Sequence, residues 1–206
     1  IDHRVLVGDP AQPDVWRRLD DVLAERFPTE AGGALAIQRM CVDTGGHFSA
    51  DVHEWCARHP GERVMAIQGR AALATASGTP TTVDVTLRSG RRKARGGRLW
   101  PVGVSLLKSR LFAWLASDPP RGDEDTPHGF CHFPRYSDEW FKQLCAERKV
   151  KRKTRTGYIR FEWEKVRERN EALDCRVYAM AAAETLRLDR WSEADWQAAR
   201  ANLAAE

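Results

Sequence analysis

The chain has 206 residues, 42% of them hydrophobic and 30% charged, which supplies one sizeable core and excludes wholesale disorder. No run of about 18 apolar residues occurs and no basic-then-apolar leader opens the chain, so neither a helical membrane span nor a secretory signal is expected. The net charge of +4 is segregated. Arg88, Arg91, Arg92, Lys93, Arg95 and Arg98 form one cluster without an acid, and Arg148, Lys149, Lys151, Arg152, Lys153 and Arg155 form another. Removing these twelve charges from the surplus leaves −8 for the rest, an acidic body bearing two basic segments. That pattern suits a polyanion beside an acidic site, or else two solvated loops.

Residues 4–7 read as an opening strand, broken by Gly8, Asp9 and Pro10, and residues 11–26 read as an amphipathic helix with Val15, Trp16, Leu19, Val22 and Leu23 at helical spacing. The apolar run 35–43, closed by Thr44, Gly45 and Gly46, predicts one buried strand. Ser49 predicts the cap of a helix ending near residue 58, and residues 63–67 a second buried strand. This alternation predicts an α/β sandwich with a partly parallel sheet. From 70 to 98 the pattern dissolves into Ala, Ser, Thr, Gly and Arg and is read as a basic excursion loop, with only 83–87 alternating like an edge strand.

Order resumes with a strand at 99–104 and a helix at 105–115, followed by a turn-rich stretch at 118–129 and a short strand at 130–133. Ser137 predicts the cap of a helix carrying Trp140, Phe141, Leu144 and Cys145. The second basic cluster turns at Thr156 and Gly157 into an alternating segment, predicting a basic hairpin over 148–164. A long helix from about 167 to 187 and a short one from 192 to 204 complete the chain. The five cysteines, Cys41, Cys56, Cys131, Cys145 and Cys175, form no CxxC pair and are expected as reduced core thiols in a cytosolic protein.

Two acids stand out. Asp43 is placed at the carboxyl end of a predicted buried strand, where open α/β sheets bind ligands, and the glycines after it admit a bulky substrate. It is also the kind of aspartate that organises a turn through its own side chain. Asp174 lies on a helix that is apolar on nearly every side, with Asn170, Glu171 and Tyr178 near it on one stripe. A carboxylate there requires a metal, a cap or an ion pair, Arg167 and Arg169 being at hand for the last. An acid at a strand end and an acid on a buried helix are parts of a metal-dependent phosphodiester hydrolase. The histidines have no defensible ligand spacing, His132 is expected in the core, and no nucleophile elbow or Walker loop occurs.

Five blocks in order resemble the nuclease half of lambda-type (GpA family) phage terminase large subunits: residues 41–47 around Asp43, 63–69, 131–134, 141–147 and 169–175 around Asp174. The resemblance covers residues 1–189 and leaves 190–206 as a helical tail. It implies an RNase H-like mixed sheet flanked by helices, with the first strand or strands upstream of Ile1. It also implies an endonuclease that cuts concatemeric phage or prophage DNA during packaging, using Mg²⁺ or Mn²⁺ held by three acids.

Asp43 matches the second of those acids and Asp174 the third, with Glu171 and His47 as weaker neighbours, while the first has no match here. Arg70 stands where the family carries a lysine, and Lys108 keeps the lysine of a segment whose acid is lost. Arg70, Arg91, Arg92, Lys93, Lys108, Lys151, Arg152 and Lys153 are the expected contacts to double-stranded DNA. The family's partners are an ATPase domain, a small terminase subunit and a portal, in the host cytoplasm. Two acids alone should bind metal weakly, so the chain is read as a partial nuclease, the alternative being a non-catalytic DNA-binding or assembly module.

Overall fold

The computed structural model describes residues 2–30, 32–122 and 125–205. Ile1 of the predicted nuclease region, residues 123–124 of the predicted turn and Glu206 of the predicted tail lie outside them. The elements follow in order: α1 (Pro13–Ala24), β1 (Arg26–Pro28), β2 (Ala34–Ala36), β3 (Met40–Asp43), α2 (Ser49–Cys56), β4 (Val64–Gly69), β5 (Thr81–Thr86), β6 (Arg92–Val102), α3 (Val104–Leu115), α4 (Asp138–Leu144), β7 (Glu147–Lys153), β8 (Ile159–Lys165), α5 (Glu171–Thr185), a short 3-10 turn (Leu188–Arg190) and α6 (Glu193–Ala205).

The central sheet has four strands in the order β3, β4, β6, β5, with β3, β4 and β6 parallel and β5 antiparallel to β6. This is an α/β architecture with a mixed sheet between helices. β4 is buried on both faces, and its side chains divide between two cores. Met65 and Ile67 join Leu107 and Leu111 of α3, Leu144 of α4, and Leu173 and Val177 of α5. Val64 and Ala66 join Leu23 of α1 and Val52, Trp55 and Cys56 of α2. Because residues in register share a face in a parallel pair, Asp43, opposite Ile67, belongs to the α5 face.

Several elements differ from the expectation. Residues 4–7 pair with no strand among the described residues and leave Val5 and Val7 exposed. The single strand predicted over 35–43 is two: β2 pairs antiparallel with β1 and β3 pairs with β4. Arg63 fixes the break, its guanidinium donating to the carbonyls of Ile37 at 3.1 Å and Leu23 at 2.9 Å, so that Ile37 is bonded to a side chain there.

The basic excursion loop is instead a hairpin. β6 pairs with β5 along its cationic half and enters the sheet beside β4 from Leu99 onward. A bulge at Asp84 is tied by the backbone N–H of Arg95 at 2.7 Å and by the Arg92 guanidinium. Most side chains of this hairpin face solvent, so its sequence carries no apolar period.

Residues 130–133 form no strand. Phe133 packs on the Trp140 and Phe141 rings, and His132 is exposed, not a core residue. Ser137 caps α4 as expected, accepting from the Trp140 N–H at 3.3 Å, whereas α2 has Phe48 at its cap position and no side-chain cap. Cys56 is buried, but Cys145 and Cys175 are exposed, so the core-thiol expectation fails for those two. The basic hairpin appears as β7 and β8 in full antiparallel register, turning at Gly157, whose φ of +88° suits a residue without a Cβ.

Candidate functional site

β3 ends at Asp43, and the chain turns at once. The Thr44 N–H and hydroxyl both donate to the Ile67 carbonyl, at 2.9 and 2.8 Å, and the Gly45 N–H donates to Asp43 Oδ1 at 3.1 Å. Asp43 therefore organises its own turn and also remains an exposed carboxylate at the carboxyl end of the sheet. Its position against β4 is fixed by the ladder and by Thr44, which is buried.

α5 brings the second acid to the same place. Asp174 is half-buried in its first turn, and its carboxyl is held above the ordinary carboxylate value. Burial is the main cause. The charges of Glu147 and Asp43 raise it further, while Lys108 and Lys165 oppose them. Tyr178, one turn further on, has its hydroxyl pushed up by burial, by the charges of Asp43 and Asp174, and by donating to Asp43. Two acids far apart in sequence are thus electrostatically coupled, with a tyrosine hydroxyl facing both.

Three further residues complete the cluster. Lys108 of α3 is buried and donates to both carboxylate oxygens of Glu147, the first residue of β7, at 2.8 Å each. Its Nζ also lies 4.0 Å from Asp174 Oδ1. Asn170, just before α5, uses one amide nitrogen twice, donating to Glu147 Oε1 at 3.1 Å and to Asp174 Oδ2 at 2.9 Å. A buried ion pair bonded through a shared amide restrains the Asp174 side chain. Glu147 is the residue that sequence reasoning missed, although it is the one acid in the block 141–147.

The predicted site residues separate accordingly. Asp43 and Asp174 converge. Glu171 is exposed and paired with Arg169 at 3.4 Å, so Arg169 is engaged by Glu171 and not by Asp174. His47 is exposed beyond the Asp43 turn. Lys108, expected on the basic surface, is buried in the acid cluster, where its charge is balanced by Glu147. The other seven expected DNA contacts are exposed. Arg92 is paired with Asp84 and Arg152 with Glu164, whereas Arg70, Arg91, Lys93, Lys151 and Lys153 have no carboxylate partner among the described residues.

The β7–β8 hairpin alternates these cations with exposed Tyr158, Ile159 and Phe161, and Lys149 lies 5.4 Å from the Phe161 ring centre. Cationic side chains interleaved with exposed rings form a surface suited to phosphates and bases. The hairpin rises directly from the acid cluster, for Glu147 and Lys165 face each other at its base.

Among the described residues no group of three His, Cys, Asp or Glu side chains is arranged to hold a metal ion. The two converging carboxylates nevertheless fit a small divalent cation. Such ions take oxygen ligands, and Mg²⁺ is commonly held by one or two carboxylates with water and substrate phosphate completing its shell. Burial first, and then the charges of Glu147 and Asp43, disfavour the ionised Asp174 carboxylate, and a bound cation would offset that cost. No helix among the described residues is long and apolar enough to cross a membrane.

Comparison with known proteins places the chain in a family. The family model described as the endonuclease domain of the terminase large subunit gpA matches residues 1–196. The terminase large subunit of Escherichia phage lambda is 31% identical over 210 aligned positions, covering 100% of this chain and 31% of that protein. The terminase large subunit of Enterobacteria phage P21 is 31% identical over 195 positions, covering 93% of this chain and 29% of that protein. The chain thus spans under a third of the length of these relatives. No solved structure matches it. The chain belongs to the family of the gpA-type terminase large subunit endonuclease domain.

Proposed function

We propose that the chain is a metal-dependent DNA endonuclease of RNase H-like type, acting within a phage or prophage terminase to cut concatemeric DNA during genome packaging in the host cytoplasm. The convergence of Asp43 and Asp174 at one end of the sheet carries this reading. Both would hold a Mg²⁺ or Mn²⁺ ion, whose contribution is to stabilise charge developing on the phosphodiester. Asn170 orients the Asp174 carboxylate, and Lys108 limits the net negative charge of the cluster by neutralising Glu147.

The free cations Lys151 and Lys153 on one hairpin, Arg91 and Lys93 on the other, and Arg70 directly after β4 engage the backbone of double-stranded DNA without reading bases. By family, the ATPase domain, the small terminase subunit and the portal are the partners. A supercoiled-plasmid nicking assay in Mn²⁺ tests the reading, comparing the parent chain with Asp43→Asn and Asp174→Asn. Loss of nicking in both variants is expected, and nicking that survives either one removes that residue from the site.

The second reading is a DNA-binding or assembly module that does not cut. The third nearby acid, Glu147, being engaged by Lys108 favours it. DNA affinity falling steeply with salt, with no cleavage in either metal, would select this reading.

A further inference from the structure

On the opposite face of the sheet from the acids, between α2 and the cationic half of β6, an open cavity of about 380 Å³ is lined by His53, His59, Arg95, Gly96, Gly97 and Arg98. We propose that this cavity is a binding site for a phosphate group, separate from the acid cluster.

The chemistry of the lining is one-sided. Arg95 and Arg98 have no carboxylate partner among the described residues, and Arg98 is instead set 4.9 Å from the Trp100 ring centre. A guanidinium left unpaired at a concave surface offers a donor fork matched to phosphate oxygens. His53 is 6% exposed, yet its ring has no hydrogen-bond partner among the described residues. The buried imidazole nitrogen left without a partner in this lining is Nε2 of His59, which is costly unless a ligand or water meets it. Burial also depresses the basicity of His53, so the ring is neutral near pH 7 and supplies one N–H donor. His59 Nε2 lies 3.0 Å from Asp20 Oδ1 but out of line for a hydrogen bond, and that oxygen already accepts from the Trp55 indole. Asp20 contacts the lining residue His59 and does not itself line the cavity.

The backbone is built to match. A Cβ placed on Gly97 would lie 2.5 Å from His53 Nδ1, so only glycine lets β6 cross this close to the ring. Arg95 is held at φ +51°, a left-handed conformation uncommon outside glycine, and its N–H is bonded to Asp84. A strained arginine beside two glycines, with the unsatisfied His59 Nε2 in the same lining, is an arrangement that folding alone does not favour.

Phosphate could reach this cavity on a DNA backbone or as a free phosphate-bearing molecule, and the experiment separates the two. Imidazole resonances of the whole chain are followed by NMR during titration with inorganic phosphate, and then with a short duplex added in competition. The expected result is saturable movement of the His53 and His59 signals, with binding at least about tenfold weaker after Arg95→Gln or Arg98→Gln and retained after Arg98→Lys. Displacement of phosphate by duplex identifies the DNA backbone as the source, and indifference to duplex identifies a free ligand. Immobile signals with both probes, or movement that persists unchanged when both arginines are replaced, would overturn the proposal. Because both arginines are exposed and the site is on the far face from Asp43, Asp174→Asn should leave this titration unchanged whatever it does to cleavage.

Discussion

The Lys108–Glu147 pair makes a strong energetic prediction because both side chains are about nine-tenths buried, at 11% and 9% exposure. Removing one partner of such a pair leaves an uncompensated buried charge and typically costs about 3–5 kcal/mol, while replacing both by apolar groups of similar volume is near neutral or stabilising. Glu147→Leu leaves Lys108 its 4.0 Å contact to Asp174, so the cost should fall at the lower end, about 3 kcal/mol. Lys108→Met leaves the Glu147 carboxylate with only the Asn170 amide, and the cost should be nearer 5 kcal/mol. The double replacement should return to within about 1 kcal/mol of the parent. Urea denaturation of the four proteins at neutral pH measures the cycle. The reasoning fails if the two single costs simply add in the double variant, or if Glu147→Leu is within about 0.5 kcal/mol of the parent.

Three further outcomes follow from the same geometry. Asp174 has a raised carboxyl value in the folded chain, so the folded state binds the proton more tightly than the unfolded one. Stability then falls as pH rises from the unfolded value near 3.8 through the higher folded value, and stays reduced above it. In EDTA, Asp174→Asn should therefore melt at a higher temperature than the parent at pH 7 and at nearly the same temperature at low pH, as checked by calorimetry. Gly157→Ala should cost about 1 kcal/mol in denaturant unfolding through its φ of +88°, without altering the far-UV spectrum. Replacing Lys151, Lys153 and Arg155 together by Gln should reduce the slope of log affinity for duplex DNA against log salt by about 3, measured by fluorescence anisotropy.

The sequence made some of this legible and hid the rest for identifiable reasons. β4 and α5 are apolar on both faces, so they stand out as runs without alternation, and Asp174 is conspicuous by contrast with them. Asp43 is visible because two glycines follow it at a strand end. The β5–β6 hairpin is not visible, because backbone pairing and a bulge at Asp84 define it while most of its side chains remain in solvent. Glu147 was hidden in another way. It opens a run of cations that reads as a solvated strand, and its partner Lys108 lies on a different helix, so only the fold reveals that both are buried. Lys108, which the resemblance implies as a DNA contact, is by its surroundings the counter-ion of an acid.

That Asp43 and Asp174 act as a single cation site can be measured without DNA and without turnover. With the aspartates labelled at the side-chain carboxyl carbon, substoichiometric Mn²⁺ should broaden the Asp43 and Asp174 resonances first and together, and Mg²⁺ in excess should reverse the effect. Broadening that begins at other aspartates, or that reaches only one of these two, would contradict it.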